Sequence, residues 1–188
     1  MHDLAPITPL GSHPPRIDDF DGLQVAENTN FVLASIAMRR GHKAAFHRLA
    51  KSFLGVGLPD ISGLTVNGDI RVFWTAPDQW FIQAPVESHE NLEQQLGAAL
   101  KDTVSVTEQS GGWVQFDLTG PRAPDVFERL CALNTRMMAA NIVTRTTIEH
   151  LGCFVLCYEN GQQYTVLSPR SSAASMHHAI TSAAKSVI

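Results

Sequence analysis

WTAPDQWFIQAP, residues 74–85, places two of the chain's three tryptophans around a Pro-Asp turn and closes on a second proline. Read outward, DIRVFWT (69–75) and QWFIQA (79–84) are short runs rich in β-branched and aromatic residues, and the Ala-Pro-Asp between them is turn-forming. The stretch therefore predicts an antiparallel hairpin. Pro85 cannot extend a hydrogen-bonded ladder. The chain beyond it predicts a helix over Ser88–Leu100, with Ser88 as N-cap and Leu92, Leu96 and Leu100 on one face.

This unit of hairpin, proline and amphipathic helix occurs twice. A shift of 84 positions lays Trp74 on Tyr158, Trp80 on Tyr164, Ile82 on Val166, Pro85 on Pro169, Leu92 on Met176 and Leu96 on Ile180. Before the first copy, GLQVAEN and FVLASIAM predict strands joined at Asn28-Thr29-Asn30. A helix follows over His42–Leu54, with Ala45, Phe46, Leu49, Ala50 and Phe53 at helical spacing. Before the second copy come strands at TVSVTEQ and WVQFDLTG and a helix over Arg122–Leu133. Strands at VTRTTIEH, CFVLCYE and QQYTVLS follow, the last two joined by a two-residue Asn160-Gly161 loop, and a final helix over Ser172–Ala184.

The fold class is therefore α+β: two similar strand-strand-helix-strand-strand-helix halves packed together. The proline-rich start lacks apolar periodicity and predicts an extended N-terminal arm over 1–20, ahead of a first half at 21–102 and a second at 103–188. Such an arm, together with the strand edges, is the expected docking surface for a partner.

At 44% hydrophobic, the 188 residues have material for a sizeable core. A formal net charge of -4 supplies no basic field to hold nucleic acid or an anionic membrane, so neither is an expected partner. The start carries no positive, then apolar, leader pattern, and no run of eighteen apolar residues occurs, which leads us to expect a cytoplasmic protein. Cys131, Cys153 and Cys157 form no CxxC pair and no four-ligand zinc spacing, so reduced, mostly buried thiols are expected.

The residues capable of chemistry read as structural. His42 and His47 are five apart and His177 and His178 adjacent, whereas two imidazoles on one metal need i, i+4 spacing on a helix. Cys153 and Cys157 share a strand face within an apolar run, where a thiol behaves as a small hydrophobe. Gly55-Val56-Gly57 follows a helix, whereas a dinucleotide fingerprint leaves a strand and opens a helix. Asp117 is suited to a carboxylate near a ligand, but the simpler reading of its segment is that Thr119 caps the following helix and Pro121 starts it. Arg39, Arg40, Lys43, Arg48 and Lys51 gather in one helix and its entrance, suited either to an acidic partner or to solvent. No catalytic, cofactor-binding or metal residue is assigned in this chain.

Pro77-Asp78-Gln79-Trp80, Glu108-Gln109-Ser110, Leu118-Thr119-Gly120 with Ala123 and Phe127, Arg145-Thr146, and Arg170-Ser171 with Ala173 follow one another in the order and spacing of a known family. In that order the chain resembles the gamma subunits of heterotetrameric sarcosine oxidases. It departs from their pattern at Gln79, Glu108 and the Ala/Ser/His-rich last helix. The resemblance implies the fold of the glycine-cleavage aminomethyltransferase and a non-catalytic, architectural role. It further implies a complex that oxidatively demethylates sarcosine to glycine and passes the one-carbon unit to tetrahydrofolate. The partners it implies are the alpha, beta and delta subunits, and the FAD, FMN, NAD, tetrahydrofolate and zinc of such a complex would lie in them. The alternative is a free-standing folate-binding relative of the aminomethyltransferase. LGCFVLCYENGQQY only echoes the Lys-Gly-Cys-aromatic-x-Gly-Gln-acid motif of those proteins, since the lysine is absent and Gly161-Gln162 comes too late.

Overall fold

The computed structural model describes residues 7–188; the start of the expected arm, residues 1–6, lies outside the described residues. The chain opens with a hairpin of β1 (Ile17–Phe20) and β2 (Leu23–Asn28), followed by β3 (Val32–Met38). Helix α1 (Lys43–Leu54) buries Phe46, Ala50 and Leu54, and it stops at Gly55, whose φ of 72° lets its N–H cap the Lys51 carbonyl. Strand β4 (Leu64–Asn67) turns through Gly68-Asp69 into β5 (Ile70–Ala76), and β6 (Gln79–Ala84) completes the meander. A single helical turn, α2 (Val86–His89), precedes α3 (Leu92–Leu100), which buries Leu92, Leu96 and Leu100. The chain continues through β7 (Val104–Glu108), β8 (Trp113–Thr119), α4 (Ala123–Leu130), β9 (Ile142–Ile148), β10 (Leu151–Glu159), β11 (Gln163–Pro169) and α5 (Ala173–Val187).

These elements make two compact units. One, residues 30–111 with 141–143, carries a five-stranded sheet in the order β4-β5-β6-β3-β7. Its core is the face where Val32, Ala34, Ile36, Val72, Trp80 and Ile82 meet α1 and α3. The other, with described residues 7–29, 112–140 and 144–188, carries a six-stranded sheet in the order β1-β2-β8-β11-β10-β9. There Val114, Phe116 and Leu118 of β8 and Tyr164 and Val166 of β11 are all buried, as are Phe127 of α4 and Met176 and Ile180 of α5.

The two units repeat one design. In each, a hairpin strand is broken by a bulge at the same place, between Trp74 and Ala76 in β5 and between Cys157 and Glu159 in β10. In each, the ring that opens the following strand lies against a helical phenylalanine: Phe46 to Trp80 at 5.7 Å, and Phe127 to Tyr164 at 5.3 Å between centroids. The helix that follows presents Leu92 and Leu96 in one copy and Met176 and Ile180 in the other, all buried.

The structure revises several sequence expectations. The 84-residue shift holds for β6 and β11 but slips by one in the preceding strand, so Cys157, not Tyr158, takes the place of Trp74. The cause is the turn: Asn160-Gly161-Gln162 is a three-residue connection, with Gly161 at φ 76° and the Gln162 N–H bonded to the Glu159 carbonyl. Residues 17–20 are strand rather than arm, and the preceding segment is held on its own chain, where the Leu10 and Arg16 N–H groups donate to the Glu27 carboxylate at 2.9 and 3.2 Å. Halves at 21–102 and 103–188 do not match the pairing, because β2 joins β8 and β7 joins β3. The order within each half gains a strand, β4 in one case, so helix placement follows strand-helix-strand-strand-strand-helix. Ser88 is not a cap, since its hydroxyl lies 2.8 Å from His89 Nδ1 and α3 begins after Asn91. Thr119 ends β8, and α4 begins after Arg122.

Candidate functional site

The β5–β6 hairpin helps build a cavity of about 400 Å3. Trp74 and Trp80 face each other across the β5–β6 ladder and both line it. Trp80 is almost fully buried; its indole N–H donates to the Pro59 carbonyl at 2.8 Å, and Phe46 packs beside it. With its one donor satisfied, Trp80 has no further polar group to offer the cavity. Lys43 and His47, one turn apart on α1, supply basic groups, and His47 stands nearly perpendicular to Trp80 at 6.0 Å. Asp60 comes from the loop after α1, and Asp78 from the tip of the hairpin, where its φ of 57° is tolerated because a short polar side chain visits the left-handed region at modest cost.

The other sequence candidates do not converge. His42 is exposed at the start of α1, away from any histidine partner in function, while His177 is buried and its Nε2 lies 2.7 Å from Asp18 Oδ2. Arg16 forks onto the same carboxylate at 2.9–3.2 Å and, with help from His177, holds the Asp18 carboxyl below its ordinary range. This cluster ties β1 to α5. His178 is exposed, 3.5 Å from Ser182 Oγ, beside a shallow groove shared with Arg129 and Glu149.

Burial pushes the Cys153 thiol up to about 12, and also raises Cys157 and Cys131, so none is a ready thiolate at neutral pH. Cys153 Sγ instead lies 3.7 Å from the Thr146 carbonyl and Cys157 Sγ 3.8 Å from that of Met138. Gly55 is a helix cap. Asp117 accepts from Asn28, Gln115 and Thr165 at 2.8, 2.9 and 2.5 Å, a polar knot across three adjacent strands. Arg39, Arg40, Lys43, Arg48 and Lys51 are all exposed, and only Lys43 reaches the cavity. Among the described residues no group of three His, Cys, Asp or Glu side chains could hold a metal ion, and no helix is long and apolar enough to cross a membrane.

Beyond Pro77–Trp80, residues that carry the family pattern hold strands together. Glu108 accepts the Ser110 N–H at 2.6 Å, the Ser110 hydroxyl accepts that of Leu33 at 2.8 Å, and the Gln109 N–H donates to the Leu33 carbonyl at 2.8 Å. The trio thus locks the end of β7 to β3. Gly120, at φ 128°, passes so close to β2 that a Cβ there would lie 2.4 Å from the Gly22 carbonyl oxygen. Ala123 is fully buried, Phe127 meets Tyr164, and the Arg145 guanidinium sits 5.9 Å over Phe154.

By fold, the chain is an α+β protein of two repeated units with the architecture of the aminomethyltransferase T proteins. It aligns with the glycine cleavage system aminomethyltransferase T from Bartonella henselae at a TM-score of 0.60 and 12% identity, over 82% of this chain and 44% of that one. A heterotetrameric sarcosine oxidase from Corynebacterium sp. U-96, solved with pyrrole 2-carboxylate, contains a chain that aligns at a TM-score of 0.77 and 20% identity, over 88% of this chain and 85% of that one. Residues 40–143 match the sarcosine oxidase, gamma subunit family. The sarcosine oxidase subunit gamma of Corynebacterium sp. (strain P-1) is 34% identical over 133 residues, which are 68% of this chain and 63% of that relative's length. The chain belongs to the sarcosine oxidase gamma subunit family.

Proposed function

We propose that this chain is the gamma subunit of a heterotetrameric sarcosine oxidase and acts there as an architectural subunit, in a complex that oxidatively demethylates sarcosine to glycine. The observation that carries this reading is its 34% identity to a subunit of that name over 133 residues. Its physical support is that the segment from Glu108-Gln109-Ser110 to Phe127, where the resemblance runs, is committed to packing and strand locking. In this reading the alpha, beta and delta subunits are its partners, and the flavins, NAD, tetrahydrofolate and zinc are held by them. The one-carbon unit leaves on tetrahydrofolate there, and the site of action is cytoplasmic.

Nothing in β10 favours the free-standing folate protein. Cys153, the thiol that its motif would present, is 1% exposed and directed at the Thr146 carbonyl, and Gly161-Gln162 form a turn. The test is purification of the tagged chain from its host grown on sarcosine, with the eluate assayed for flavin absorbance and sarcosine-dependent peroxide. Co-purification of both supports the subunit reading. A chain that comes down alone and binds folate overturns it.

A further inference from the structure

The cavity between α1 and the β5–β6 hairpin is lined in part by Pro77, Asp78 and Trp80 of the family pattern. We propose that it binds a small organic ammonium ion, held against the indole faces of Trp74 and Trp80 and neutralised by Asp60 and Asp78. An aromatic wall attracts a cation through its negative π face, and alkylated ammonium groups suit it because they shed water more readily than a bare ammonium. Trp80 is held in place: its N–H is bonded to the Pro59 carbonyl and Phe46 lies against its ring. Asp60, Asp78 and Lys43 are exposed at the cavity, two carboxylates against one ammonium group. About 400 Å3 is within the range of small-molecule sites and ample for a head group of a few heavy atoms. Lys43 opposes the cation, which gives the charge argument a sign that can be tested.

The probes are choline and its uncharged isostere 3,3-dimethylbutan-1-ol, titrated into the full chain while the three indole N–H resonances are followed by NMR. Choline shifts the Trp74 and Trp80 signals saturably, leaves Trp113 in place, and binds at least tenfold tighter than the alcohol. Asp60→Asn and Asp78→Asn each weaken choline at least threefold, and Lys43→Gln tightens it. Equal binding of choline and the alcohol, no saturable shift, or weakening by Lys43→Gln overturns the proposal. These readings use the chain alone and stand apart from its assembly.

The same ammonium chemistry could come from solution or from a lysine of a neighbouring chain, and the purified complex separates the two. A choline response retained in the complex assigns the site to a free ligand. A response lost there, with a carbodiimide cross-link from Asp60 or Asp78 to a lysine of another chain, assigns it to that lysine. Loss without the cross-link overturns the proposal.

Discussion

Replacing Gly120 by alanine should be among the most damaging single-methyl additions in the molecule. An ideal Cβ at this position lies 2.4 Å from the Gly22 carbonyl oxygen, 3.0 Å from its carbon and 3.2 Å from the Leu23 Cα. All three are backbone atoms of the paired β1–β2 hairpin, so no side-chain rotamer can relieve the overlap. The N–H of Gly120 donates to the Gln162 carbonyl at 2.7 Å, and that of Arg122 to the Gly22 carbonyl at 3.1 Å. Moving the strands apart endangers both bonds, each contributing about 1 kcal/mol net. The backbone strain of an L-residue at φ 128° adds roughly 1–3 kcal/mol, for about 3–5 kcal/mol altogether. That is a large share of the ~5–15 kcal/mol by which native domains are stable. Gly161→Ala is the control: it also has a left-handed φ, 76°, but its Cβ would meet nothing within 4 Å. It should cost only the left-handed penalty of about 1–2 kcal/mol. Urea unfolding followed by tryptophan fluorescence measures both. A Gly120→Ala variant no less stable than Gly161→Ala would refute the close-approach argument.

Three further outcomes follow from the geometry. Because Arg16 and His177 depress the folded-state pKa of Asp18, their stabilisation is full above the ordinary carboxylate range and is lost as pH falls through the depressed value. Thermal melts of Asp18→Asn should therefore show a shallower acid-side loss of Tm than the unmodified chain, and parallel curves would count against the pairing. Tyr164→Phe removes a hydroxyl that donates to the Thr135 carbonyl at 3.0 Å and accepts the Gly161 N–H at 2.8 Å; the expected loss is about 1–3 kcal/mol in denaturant midpoints converted at constant slope. Finally, iodoacetamide at neutral pH should modify Cys131, which is half-buried, ahead of Cys153 and Cys157, which are buried and whose thiols are raised. Mass spectrometry showing Cys153 labelled as fast as Cys131 would contradict that order.

The hairpin of residues 70–84 and the helix after it were legible because their patterns are local: runs of β-branched and aromatic residues on either side of a Pro-Asp turn, and leucines at i, i+4, i+8 in α3. The pairing of β2 with β8 was not, because Val25 and Leu118 are brought together by tertiary structure across a wide sequence gap. The same holds for β1, none of whose four residues is fully buried and which carries no alternating apolar signal. Strand β4 escaped notice because Val66 is exposed and only Leu64 is buried. The one-residue slip in the repeat came from counting Asn160-Gly161 as the whole turn. At the candidate site the two tryptophans stood out at once, whereas Lys43, His47 and Asp60 reach it from a helix and a loop with no common motif. Family resemblance identified the residues that lock strands, such as Ser110 and Gly120, without saying what each one does.

The central claim is that the chain works as one member of a larger oxidase. Native mass spectrometry of the complex isolated through the tagged full chain, from cells grown on sarcosine, tests it most directly. The account predicts one copy of this 20.5 kDa chain bound with three different polypeptides and flavin. A free monomer, or an assembly made of this chain alone, would contradict it.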